Sequence, residues 1–220
     1  MIPLEKSIYS LVLSDSVVDA VDDMARAAGV SRSAMINQIL AERVAYTTPE
    51  MRLREILSAV QRSMNEGFFL MEQPTGSSLS CRTSLKYRYK PTVRYSVEIF
   101  THGGRKAGEL KVAFRTQNAQ LISDLMGFFR CWAALEQRYI APRLSQDILY
   151  TIEDGRFTRT LNMPRADITD SELGEAVADY MAMFDAAMKD YFAALPEKDS
   201  AAAAAEESYS ALVTKQKEII

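Results

Sequence analysis

Histidine occurs once in this chain, at His102, and cysteine twice, at Cys81 and Cys131. So few imidazole and thiolate groups form no cluster at metal-ligand spacing, and neither a metal site nor a cofactor is expected. The two cysteines give no disulfide framework and read as free thiols of a reducing compartment. Long apolar runs are missing too. None reaches the roughly 18 residues needed to cross a bilayer. The opening MIPLEKS lacks the charged-then-apolar pattern of a secretory signal, so no membrane partner and a cytoplasmic location are expected. GGRKAG at 103–108 has neither phosphate-loop spacing nor a helix to open, which argues against a nucleotide site. No internal repeat is visible.

What is present is an ordinary balance, 48% hydrophobic and 25% charged, in 220 residues that have room for about two domains. The net charge of −3 conceals an asymmetry. Residues 1–46 carry 4 basic and 6 acidic side chains, residues 47–144 carry 15 and 8, and residues 145–220 carry 7 and 15. Binding to a polyanion depends on where positive charge lies more than on its total, so the middle segment is the one to examine.

The N-terminal residues have the clearest pattern. KSIYSLVLS at 6–14 reads as a strand, with Tyr9, Leu11 and Leu13 on one face and Ile8, Ser10 and Val12 on the other. Ser14 or Ser16 is placed to cap a helix in which Val17, Val18, Val21, Met24, Ala25 and Ala28 recur at helical spacing. Gly29 sits where a helix ends in the left-handed conformation, and Ser31 is placed to cap a second helix through Ala34, Met35, Ile36, Ile39, Leu40 and Val44. One strand and two short helices cannot pair the strand's backbone or build a core, so a second copy is expected.

SLVLSDSVVDAVDDMARAAGVSRSAMINQILAE, with LSDS leading into the first helix and GVSRSAMI opening the second, resembles the ribbon-helix-helix family of small bacterial and phage DNA-binding proteins, most of all its CopG branch. The resemblance implies an intertwined β-α-α dimer whose two strands form an antiparallel ribbon in the major groove of double-stranded DNA. It assigns Lys6, Ile8, Ser10 and Val12 to the DNA-facing ribbon. It also assigns Ser31, Arg32 and Ser33 to a phosphate held by free amides at the N-terminus of the second helix. Among the groove positions Ile8, Ser10 and Val12, only Ser10 carries a hydrogen-bonding side chain. The metal-sensing regulators of this type use histidines and cysteines that are absent here.

The rest of the chain reads as α+β. A break at Thr47-Thr48-Pro49 opens a helix with Met51, Leu53, Ile56, Leu57, Val60, Met64 and Phe68 on its apolar side, taken as a linking helix within 47–72 after a first domain of residues 1–46. A second domain over 73–196 begins with the turn-rich QPTGSS and continues as an antiparallel meander of TSLKYRYK, TVRYSVEIF and ELKVAFR. In these strands apolar positions such as Val93, Tyr95, Val97, Leu110 and Val112 alternate with a basic face of Lys86, Arg88, Lys90, Arg94, Lys111 and Arg115, a candidate surface for nucleic acid or an acidic partner. The other reading of that face is solvated surface. A helix is expected over 117–139, a hairpin turning at Asp154-Gly155, and a long helix from Asp167 to Leu195 opened by a Thr169 and Glu172 capping box. Residues 197–220 read as a linker and a tail helix whose Tyr209, Leu212, Val213 and Ile219 need a partner.

The expectation is a non-catalytic homodimer or higher oligomer that binds double-stranded DNA, as a transcriptional regulator or an accessory factor of a plasmid, phage or other mobile element. Its second domain would oligomerise, bind an effector or protein partner, or add basic contacts. The alternative is an assembly protein that uses the N-terminal unit for pairing and the basic strands for nucleic acid or an acidic partner. A remote alternative is a metal-dependent nuclease, because Glu109-Leu110-Lys111 with Glu98 on the preceding strand has the acidic-x-lysine pattern of restriction-type enzymes.

Overall fold

A computed structural model describes residues 8–71, 76–86, 90–100, 104–144, 147–153, 155–164, 167–214 and 220. The chain divides into two compact units, Met1–Arg52 and Leu53–Ile220.

The first unit is a helical hairpin of α1 (Asp15–Ala28) and α2 (Arg32–Arg43). Val21 and Ala25 of α1 meet Met35 of α2, with Val30, Ile36 and Ile39 packed around them. Gly29 closes α1 at φ +63°, and the Val30 amide donates back to the Ala25 carbonyl at 3.0 Å, a turn that costs glycine little because it has no β-carbon. Ser31 caps α2, its Oγ accepting from the Ala34 amide at 3.3 Å. Ser14 holds the N-cap position of α1 without a side-chain capping bond, its Oγ lying 3.4 Å from that of Ser16. The expected strand is not formed: Ile8 to Ser14 have no regular structure and are exposed, while Lys6 lies outside the described residues. The physical reason is that a strand is held by hydrogen bonds to a neighbour, and this single chain offers that segment none.

The helix α3 (Pro49–Ser63) starts on Thr48, whose Oγ1 accepts from the Met51 amide at 3.1 Å, with proline at the first helical position. From Leu53 onward it belongs to the second unit, and Leu53, Ile56, Leu57 and Val60 are buried in that unit's core. The helix expected as a link is therefore largely a core element, because its apolar stripe has a surface to bury.

The second unit is built on a six-stranded antiparallel sheet: β1 (Phe69–Leu70), β2 (Ser78–Ser84), β3 (Thr92–Ile99), β4 (Lys106–Phe114), β5 (Tyr150–Glu153) and β6 (Arg156–Asn162). The spatial order is β1-β2-β3-β4-β6-β5. α4 (Ala119–Tyr139), α5 (Asp170–Ala193) and α6 (Lys198–Val213) join α3 in the same core as one sheet face. Residues of that face, such as Leu79, Cys81, Val93, Tyr95, Leu110, Val112 and Phe157, are buried. The opposite face is polar and open.

β2 is not where the alternation of TSLKYRYK puts it. The strand is SLSCRTS and ends at Ser84, which pairs with Thr92; the Leu85 amide then bonds the Pro91 carbonyl and closes the hairpin. Leu79, Cys81 and Thr83 supply its inward face, and pairing with β3 decides the register over local pattern. The expected hairpin joins β5 to β6, with Glu153 paired to Arg156 and Gly155 at φ +67°; Asp154 lies outside the described residues. Asn118 caps α4, and Thr169 with Glu172 forms a reciprocal capping box on α5.

Phe128, Phe129 and Trp132 of α4 pack against Phe184 of α5, with Phe157 of β6 beside Phe129 and Tyr209 of α6 edge-on to Trp132. Such tilted and edge-on pairs favour ring quadrupoles beyond the area they bury. The tail helix thus finds its partner within its own chain: Ala201, Ala205, Tyr209 and Val213 are buried. α3 and α5 cross where Gly174 leaves space, since a β-carbon there would stand 2.4 Å from the Ile56 carbonyl oxygen.

Two buried polar sites pin the helices to the sheet. Asp185 of α5 accepts from Thr83 Oγ1 at 2.7 Å, Tyr95 Oη at 2.9 Å and Lys189 Nζ at 2.5 Å. Arg159 of β6 donates to Glu136 of α4 at 3.0 Å, to the Thr160 carbonyl and to the Ile220 carbonyl, with its guanidinium over the Tyr180 ring. Burial holds the Glu136 carboxyl above its usual range against the pull of Arg159. Among the described residues no helix is long and apolar enough to cross a membrane.

Candidate nucleic-acid interfaces

Two surfaces carry the candidate residues. In the first unit, Ile8 and Val12 are fully solvated and Ser10 is exposed, as are Tyr9 and Leu11 of the opposite face, at 81% and 60% exposure. The single chain therefore leaves both faces of the would-be ribbon open.

The α2 N-terminus is preorganised. Ser31 takes the Ala34 amide, and the first intrahelical bond, from Met35 to the Ser31 carbonyl, leaves the Arg32 and Ser33 amides ahead of it. Orphan amides and the helix dipole favour an anion there. The Arg32 guanidinium, however, is forked onto the Asp22 carboxylate of α1 through Nε and Nη2. The hydrogen bond from Arg32 holds the Asp22 carboxyl below its usual range, and the same bond raises Arg32. Sequence spacing gave no sign of this pair, ten residues apart across the Gly29 turn. A phosphate at this end would share Arg32 with Asp22, so the amides of Arg32 and Ser33 are its unencumbered donors.

The open sheet face is the second surface, and it holds only part of the expected basic set. Arg94 and Lys111 stand on it. Lys86 and Lys90 fall in the turn after β2, Arg115 follows the end of β4, and Arg88 lies outside the described residues. The cause is the shifted β2, which takes the lysines off the ladder. The face gains two arginines that the sequence reading did not assign to it, Arg82 on β2 and Arg156 on β6, and these are brought into line by pairing alone. No periodicity within one strand signals such an alignment.

Glu98, Glu109 and Lys111 do come together on this face. Glu98 pairs directly with Glu109 across β3 and β4, and Lys111 sits 2.9 Å from Glu109 and 3.8 Å from Glu98. The hydrogen bond to Glu109 raises Lys111. Among the described residues there is no group of three or more carboxylate, thiol or imidazole ligands, and this lysine bridges two like charges that would otherwise repel. His102 is outside the described residues. Cys81 is buried, which pushes its thiol up to about 12, and Cys131 is half-buried; both are free.

Comparison with protein families matches residues 10–47 to the model of the ribbon-helix-helix protein, copG family. This is the segment whose pattern resembles that family, and it contains Ser10, Val12, Ser31, Arg32 and Ser33. Comparison with curated proteins and with solved structures gives no match.

Proposed function

We propose that the chain is a dimeric, non-catalytic DNA-binding protein, a transcriptional regulator or accessory factor of a plasmid, phage or other mobile element. Two copies pair residues 8–14 as a ribbon that enters the major groove. The family match over residues 10–47 carries this reading. Its physical support is the apolar surface that the first unit leaves uncovered: Tyr9, Leu11 and Leu13 in the ribbon segment, Val17, Met24 and Leu40 on the helices, and Val44 just after α2. A second copy covers that surface and supplies the missing strand neighbour in one step. Ser10 and Val12 then face base edges while the amides of Arg32 and Ser33 hold a phosphate, a division of labour between reading and positioning. The second unit carries an effector, a protein partner or further contacts.

The experiment is selection of bound duplexes from a random-sequence pool by the full-length protein. The expected result is a palindromic or repeated site whose enrichment disappears with Ser10→Ala. Sedimentation of wild type and Leu11→Asp accompanies it, and the aspartate is expected to convert a dimer to a monomer. A wild-type pool without enrichment, or a monomeric wild type, overturns the reading.

A further inference from the structure

Register places Arg82 of β2 opposite Arg94 of β3, Arg94 opposite Ala113 of β4, and Ala113 opposite Arg156 of β6. Directly paired residues share a face, so three arginines stand in one line across the open side of the sheet, with a methyl group in the gap between the second and third. Neighbouring strands lie about 4.8 Å apart, so the line runs over roughly 14 Å.

Like charges set directly opposite destabilise a sheet, and the described residues offer Arg82 and Arg94 no carboxylate partner. Glu98 and Glu109 are bridged by Lys111, and Glu153 reaches Arg156, at 3.6 Å. All three arginines are exposed. Over Ala113 the surface dips into a depression of about 470 Å³ lined by three cations, Arg94, Lys111 and Arg156, against one carboxylate, Glu153, with the hydroxyls of Ser96, Thr151 and Thr158. This is a shallow, polar, cationic notch in the middle of a line of charge, and it suits a polyanion better than an apolar ligand.

We infer that the Arg82, Arg94 and Arg156 line is a second DNA contact, one that takes phosphodiester groups of duplex DNA outside the groove read by the ribbon. The inference rests on the DNA-binding reading and adds to it a surface in the other unit. A guanidinium fork matches phosphate oxygens in pairs. Each strand of B-DNA carries one phosphate per roughly 3.4 Å of helix axis, so a line of this length faces several of them. Proteins that hold single strands stack successive bases on aromatic rings. Of the positions in this line only Phe69, at the β1 end beside Arg82, is aromatic. Phosphate contacts carry no sequence information, so the line adds affinity and register where the ribbon adds selectivity.

The test is a salt titration of full-length wild type, Arg94→Gln and the Arg82→Gln/Arg94→Gln/Arg156→Gln triple variant. The probes are a duplex selected by the protein, a random duplex and a single strand of equal length. Arg94→Gln is expected to weaken both duplexes by the same factor and to lower the slope of log affinity against log salt by about 1 for each phosphate lost. The triple variant lowers it further, and far-ultraviolet circular dichroism confirms that these surface changes leave the fold intact. A triple variant with the wild-type slope overturns the inference, and so does a loss confined to the single strand. Failure of the ribbon reading looks different: Ser10→Ala then leaves selection unchanged while the arginine variants still lower the slope on random duplex.

Discussion

The two units differ in how much of their apolar surface they cover unaided. In the first, Val21, Ala25 and Met35 form the buried cluster of the described residues, and leucines, valines and two tyrosines, Tyr9 and Tyr46, remain in water. In the second, a sheet face and four helices enclose a continuous core that includes the largest side chains, with Trp132, Phe128, Phe129, Phe157 and Phe184 fully buried. The difference teaches that similar helical segments stand in different relation to their surroundings: α1 and α2 leave an apolar face in water, the face that the proposed second copy would cover, whereas α5 and α6 are satisfied within the chain.

The largest expected effect that separates the units is in the aromatic core. Trp132→Ala removes the contacts with Phe184 and Tyr209 and the hydrogen bond that its Nε1 donates to the Tyr180 hydroxyl at 2.9 Å. A loss of about 3–5 kcal/mol is expected for the second unit, read as an earlier urea midpoint, while segment-resolved hydrogen exchange in residues 15–43 stays unchanged. Equal loss in both segments would break the comparison. Gly29→Ala works in the opposite unit and is smaller. An alanine meets no atom within 4 Å there but must adopt φ +63°, at a cost of about 1 kcal/mol, so α1 and α2 exchange faster while the core around Trp132 does not.

The smallest effect is in pH. The Asp22 carboxyl is held low by its hydrogen bond from Arg32, so its contribution is present above the ordinary carboxylate value and is lost as pH falls through the lowered one. In the second unit burial raises Cys81 to about 12 and lifts Tyr95 and Tyr180 well above their ordinary value. Their contribution is complete below the unfolded thiol and phenol values and is lost as pH rises past them. Exchange measured by segment is therefore expected to accelerate in acid for residues 15–43 and in alkali for the second unit, with Asp22→Asn removing the acid limb alone.

Where local chemistry dictates structure, the sequence was readable. The Gly29 turn, the Ser31 cap, the Thr169 and Glu172 box and the Asp154-Gly155 hairpin each depend on residues within a few positions of one another, and the matching helices and hairpin are present. Position within the sheet was not readable in the same way. Four of the seven residues of β2 are serine or threonine, so its alternation with Leu79 and Cys81 has little contrast, while Leu85 with its basic neighbours mimics a strand better than the true one does. The candidate site shows the same limit. Ser31 and Arg32 could be named from their place at a helix start, but the Asp22 partner and the alignment of Arg82, Arg94 and Arg156 arise from chain segments meeting in space. Arg159 did leave a trace, since it shares the period of Phe157 and Leu161 on the inward face of β6.

α6 packs its Tyr209 against Trp132, and this has a bearing on synthesis. The aromatic core keeps an open side until residues 198–213 are made, whereas residues 10–47 are complete long before. At 5–20 residues per second, roughly 8 to 33 s separate the two events on the ribosome. During that interval the N-terminal unit is exposed with its uncovered apolar face, and nascent chains on one message are the nearest copies available to it. If two copies pair as proposed, the order of the two units along the chain favours that pairing before the larger core closes.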